Sequence, residues 1–168
     1  MKTSLLILSL LATLGLAGCF TSDKSLITDD KAEAPFAKIT FAEHGSPGDK
    51  TTLTRDGKAY VAKVDDGSTM TMHFMPLGDD LYLAESSGEQ QGKVLRLYAL
   101  IKLDRAKNMA MTYKSTADKS DAGPGLPSCR RQDMDMVCIE DVDAYVALAK
   151  AAMSSGAEPD TTYDVTFE

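Results

Sequence analysis

The chain has 168 residues, 43% hydrophobic and 26% charged, and its 18 Lys+Arg against 25 Asp+Glu give a net charge of -7. That length suits one domain of ordinary size with enough apolar surface for a core. The acidic balance excludes activities that need a dense basic face, such as non-specific nucleic-acid binding, and two histidines leave little material for a zinc site or a histidine-based triad.

In chain order, Lys2 is followed by an apolar stretch from Leu5 to Leu16, interrupted only by Ser9, Thr13 and Gly15. The stretch is too short to stay in a bilayer as a spanning helix. A positive start, an apolar run and then small residues read as a secretory signal peptide. It ends in Leu16-Ala17-Gly18-Cys19.

Those four residues resemble the lipobox of bacterial lipoproteins. The resemblance covers only the first 20 or so residues. It implies cutting by signal peptidase II before Cys19, a diacylglyceryl group on the Cys19 sulfur, and an acyl chain such as palmitate on its new amine. Phe20 stands where an Asp would imply inner-membrane retention, so the resemblance implies the periplasmic face of the outer membrane. One acyl chain holds a protein marginally and two or more hold it stably. Without residues 1–18 the mature chain carries 17 Lys+Arg against 25 Asp+Glu, a net charge of -8. Residues 19–35 are mostly polar with mixed charge, which predicts a lipidated cysteine on a flexible tether. The folded domain is expected over 36–168.

From residue 36 the hydrophobic period is mostly two, which predicts strands. Asp56-Gly57 and Asp66-Gly67 separate β-prone runs, the strongest short-range hairpin cue. Further strands are expected at 80–85, 93–103 and 107–114. On 93–103 one face is wholly apolar (Leu95, Leu97, Ala99, Ile101, Leu103), and the other reads Val94, Arg96, Tyr98, Leu100, Lys102, so a long central strand with partial cover on its second side is expected. Residues 115–128 read as a long loop around Gly123-Pro124-Gly125. After Cys138 the period becomes helical: Val142, Tyr145, Val146, Ala149, Ala152 and Met153 share one face. Asp141 is the expected N-cap of a helix over about 141–154, with Gly156 beyond its end. A final strand is expected over 161–167 with Tyr163, Val165 and Phe167 inward. The fold class is mainly β (α+β): an antiparallel meander of six to eight strands, curved or barrel-like, with one C-terminal helix packed on it.

Cys129 and Cys138 remain after Cys19 is assigned, and in an exported chain two such cysteines predict a disulfide. The spacing is not Cys-x-x-Cys, so redox chemistry is disfavoured. Methionine recurs as Met70-x-Met72, Met109-x-Met111 and Met134-x-Met136. Thioethers suit Cu(I), but Met also fills cores, the expected role of the first two pairs. Met134, Met136 and His73 are then the weak metal candidates, and no cofactor is expected. Ser86-Ser87-Gly88 reads as a turn-like segment rather than a nucleophile, and Asp29-Asp30, Asp65-Asp66 and Asp79-Asp80 as tether or turn chemistry. No catalytic constellation is recognised, so the chain is not expected to be an enzyme.

The function these features favour is a membrane-anchored periplasmic lipoprotein, non-catalytic, binding a protein partner or supporting an envelope complex. Two alternatives are a lipocalin-like carrier of a small apolar ligand and a lysozyme-type inhibitor, whose acidic body would steer it to a basic enzyme. Cu(I) or other soft-metal binding ranks below these.

Overall fold

The structure, a computed structural model, describes residues 20–46, 48, 50–63, 67–90, 92–113, 128–131 and 134–168. In chain order the elements are β1 (Phe20–Thr21), β2 (Lys38–Glu43), β3 (Lys50–Asp56), β4 (Ala59–Lys63), β5 (Thr69–Gly78) and β6 (Leu81–Gln90). Then come β7 (Lys93–Asp104), β8 (Met109–Tyr113), β9 (Ser128–Arg131), β10 (Met134–Cys138), α1 (Val142–Ser154) and β11 (Thr161–Phe167). No helix among the described residues is long and apolar enough to cross a membrane.

Eight strands close a ring. β2 to β8 pair in sequence as an antiparallel meander, and β11 fits between β8 and β2. The mainly β, barrel-like reading with one helix and a last strand at 161–167 therefore holds. Closure removes the exposed edges that an open sheet would present.

Local chemistry sets the hairpins. Asp79 and Asp80 both adopt positive φ (53° and 56°) between the paired Gly78 and Leu81. That is the left-handed pair a type I′ turn requires, and Asp tolerates it better than bulkier residues. At the β3–β4 turn Asp56 pairs with Ala59, so Gly57 and Lys58 are the turn residues, one position later than Asp56-Gly57. Gly57 takes the positive φ of 63°. The expected pair Asp65-Asp66 lies outside the described residues.

β6 runs on to Gln90, so Ser86-Ser87-Gly88 belongs to a strand and not to a turn. Pairing with β7 along its full length overrides the low strand propensity of Ser and Gly.

β7 is the central strand, and it is covered on both sides. Ile101 and Leu103 point into the barrel with Leu53, Tyr60, Phe74 and Val165. Tyr98 and Leu100 point outward into a second core with Phe20, Leu83, Tyr145 and Ala149. Among the described residues β8 pairs with β7 at residues 100–104. Beside Leu97 and Tyr98 the edge is taken by β1, which continues the sheet through β10 to β9.

α1 closes the second core. Asp141 caps it as expected: its Oδ1 accepts the Asp143 and Ala144 amides at 2.8 and 3.2 Å. Tyr145 and Ala149 are fully buried, with Val142, Val146 and Met153 packed beside them. The Ala152 side chain lies outside the described residues. Beyond the helix, Gly156 takes φ +85° and donates to the Met153 carbonyl.

Residues 20–35 correct the tether reading. Phe20, Thr21, Ile27 and Ala32 are each 1–2% exposed. The segment is a strap that lies across the outer wall and then passes over the barrel rim, where Ala34 and Phe36 pack on the inner core. Its composition is polar on average, but Phe20, Leu26, Ile27 and Ala32 pack on the wall, and many of its polar groups find partners there.

Candidate functional site

The register of the sheet places His73, Glu85, Tyr98 and Phe20 in one row across β5, β6, β7 and β1. Ala84 points into the barrel, so period two turns Glu85 outward, beneath the strap. Glu85 is 1% exposed. Its Oε2 accepts the Ser25 hydroxyl at 2.9 Å, the Leu26 amide at 3.1 Å, the Ile27 amide at 3.4 Å and the Tyr98 hydroxyl at 2.7 Å. Arg96 stands 3.8 Å from Oε1, and its guanidinium also donates to the Asp23 carbonyl at 3.0 Å. A buried carboxylate persists when it is paired and hydrogen-bonded, and this one is both. Burial first, then the hydrogen bond to Glu85, pushes the Tyr98 hydroxyl far above the usual phenol range. Tyr98 therefore serves as a fixed donor.

Further along the strap, Lys58 donates to the Asp29 carbonyl at 2.8 Å and ties the strap to the β3–β4 turn. Between them opens a cleft of about 480 Å³ lined by Asp29, Asp30, Asp56, Lys58 and His73. The Thr28 hydroxyl, then the backbone at Asp30 itself, hold the Asp30 carboxyl below its usual range. His73 has a buried Nδ1 with no hydrogen-bond partner among the described residues. Three carboxylates against one lysine make this cleft acidic, so it suits a cationic group of a partner.

Among the described residues the barrel interior shows a much smaller space. Its void is about 20 Å³, with apolar walls that include Ile39, Tyr60, Phe74 and Phe167. That is about the room one water needs. The rim is closed by Phe36, over which the Arg105 guanidinium stacks at 5.2 Å, with Arg105 also bonded to Asp80 at 2.7 Å and Tyr82 at 3.2 Å.

The sequence candidates separate in space. Met72 lies in the inner core with Met70 packed against it, as expected, and His73 points to the opposite face. Met109 and Met111 do not join the core. Ala110 and Thr112 hold the buried positions of β8, which leaves both methionines half-buried on the outside. Met134 and Met136 lie on β10, but their side chains, like Cys19 and the Cys129 side chain, fall outside the described residues. Backbone pairing sets Cys129 opposite Met136, so Cys138 lies two residues further along the same face. Among the described residues no group of three or more His, Cys, Asp or Glu is placed to hold a metal ion. Sequence reasoning missed Glu85. Its one signal was a carboxylate in a strand whose neighbours Leu83 and Ala84 are apolar.

No family model matches the chain, and no curated protein and no solved structure matches it either.

Proposed function

We propose that the chain is a lipid-anchored protein of the bacterial envelope, held through Cys19 at the periplasmic face of the outer membrane. On this reading its barrel is non-catalytic and binds a protein partner. The observation that carries the reading is the Leu16-Ala17-Gly18-Cys19 motif lying directly before Phe20, the first residue of the outer core. Among the described residues both cores are built from Phe20 onward. Metabolic labelling with palmitate tests this: label should enter the wild-type chain and be lost in Cys19→Ala. Labelling that persists in the variant overturns the anchor.

The partner reading is supported by where recognition chemistry lies. The barrel is filled, so a carrier would have to hold an apolar ligand in a space suited to one water. The acidic cleft beside the strap is open to the outside. Its charge also favours the inhibitor alternative, in which a basic enzyme docks there. Crosslinking in intact envelopes and identification of the captured protein would separate a structural complex from a hydrolase. A Cys129–Cys138 disulfide is part of the same proposal and is supported by the shared face of the β9–β10 hairpin. Mass analysis after alkylation, with and without reductant, reads it directly.

A further inference from the structure

We propose that the domain is seated directly on the bilayer in a fixed orientation, with the β1–β7 seam and α1 toward the lipid and β3 away from it. The proposal rests on the reading of Cys19 as the lipid-bearing residue.

Consecutive Cα atoms are about 3.8 Å apart, so the Cys19 backbone lies one such step from Phe20. Phe20 is held on every side. It pairs with Tyr98 on β7 and Val137 on β10, and its ring lies 4.7 Å from that of Tyr145 on α1. The next residue is locked as well: the Thr21 hydroxyl donates to the Arg96 carbonyl at 2.7 Å, and its carbonyl accepts the Ile139 amide at 2.7 Å. Beyond it, Arg96 and Glu85 grip residues 23–27. The strap therefore has no free length to let the barrel drift from its anchor. Acyl chains on Cys19 must enter the bilayer beside the seam, and the wall around the seam comes with them.

The ring fixes which wall faces away. From β7, four steps through β8, β11 and β2 reach β3, and four steps through β6, β5 and β4 reach β3 too. β3 is thus diametrically opposite the seam. The body does not pull itself to the membrane by charge: at -8 the mature chain would be repelled by anionic lipid. The acyl chains supply the hold, at about 0.8 kcal/mol per buried methylene.

The chain contains no tryptophan, so a single introduced one reports alone. The lipidated full chain is reconstituted in phosphatidylcholine vesicles containing brominated lipid, which quenches tryptophan at short range. One variant carries Ala147→Trp on the exposed face of α1, the other Thr54→Trp on the exposed face of β3. Both are checked for native circular dichroism and for flotation with the vesicles. Quenching several-fold greater at 147 than at 54 is the expected result. Inserting a Gly/Ser spacer of about twelve residues between Cys19 and Phe20, with a mean span of roughly 17–21 Å, should abolish that difference while flotation persists. Equal quenching at the two sites without the spacer, or stronger quenching at 54, overturns the seating and leaves the anchor intact. A chain that neither floats nor takes up palmitate overturns the anchor and the seating together.

Discussion

Glu85 shows how much one side chain can organise. Four donors from two separated parts of the chain converge on one of its oxygens, and without it the buried Ile27 amide would lose its partner while Ser25, Leu26 and Tyr98 would keep only the Ile27 carbonyl, the Tyr98 hydroxyl and the Lys24 carbonyl. Glu85→Ala should cost about 3–5 kcal/mol, the range for breaking a buried charge network. Part of that loss should appear as local opening rather than global unfolding. Hydrogen exchange checks it: the Leu26 and Ile27 amides should lose protection well before amides in β5 and β6. Unchanged exchange at these two amides would show that the strap is held by its apolar residues alone. The buried tyrosines make a separate prediction. Burial is the largest cause raising the Tyr60, Tyr98 and Tyr145 hydroxyls, so they stay protonated in the fold beyond the pH at which the unfolded chain loses those protons. The unfolded state then binds fewer protons, and stability falls as pH rises. Stability should be complete below about pH 10, the ordinary tyrosine value, and decline above it. Circular dichroism and tyrosinate absorbance should change together on an alkaline titration; tyrosinate signal preceding unfolding would refute the link.

The strap is the element the outer core depends on. It covers Leu81, Leu83 and Leu100 together with α1. Fully burying each such side chain contributes about 1.5–3 kcal/mol. A chain cut to residues 36–168 should therefore bind a hydrophobic dye and aggregate, whereas one starting at Phe20 should melt cooperatively. Equal stability of the two would return the strap to the status of a tether. In the same layer Leu83→Ala should cost about 2–5 kcal/mol, measured as a shift of the urea midpoint. The strap was illegible locally because its average polarity resembles that of a disordered segment. The groups on β6 and β7 that it bonds to lie about 60 to 75 residues away in the chain, as the separations of those hydrogen bonds show.

At the scale of the molecule, a closed, filled barrel moves recognition to the outside, and the acidic cleft between strap and β3–β4 turn is where charge gathers. If a basic partner docks there, affinity should weaken as salt rises past physiological ionic strength. Asp29→Asn with Asp56→Asn should lower the association rate more than it raises the dissociation rate. Binding to the protein captured by crosslinking, measured over a salt series, reads both quantities, and a salt-independent rate would place the docking surface elsewhere.

The sequence by itself determined what depends on near neighbours. Period two marked most strands, Asp79-Asp80 marked a turn, Asp141 marked the start of α1, and the two faces of β7 marked a central strand with at least partial cover on its second side. The proposed lipobox is local in the same sense, a contiguous motif whose chemistry would need no fold around it. Only the tertiary structure decided closure of the ring, burial of Glu85, and the docking of residues 20–35. It also decided which face of β8 turned inward. Alternation puts Met109 and Met111 together, but pairing of Leu103 with Ala110 fixes the side, and the small alanine goes to the filled interior. A pattern specifies which residues share a face; the contacts between distant strands specify what that face meets.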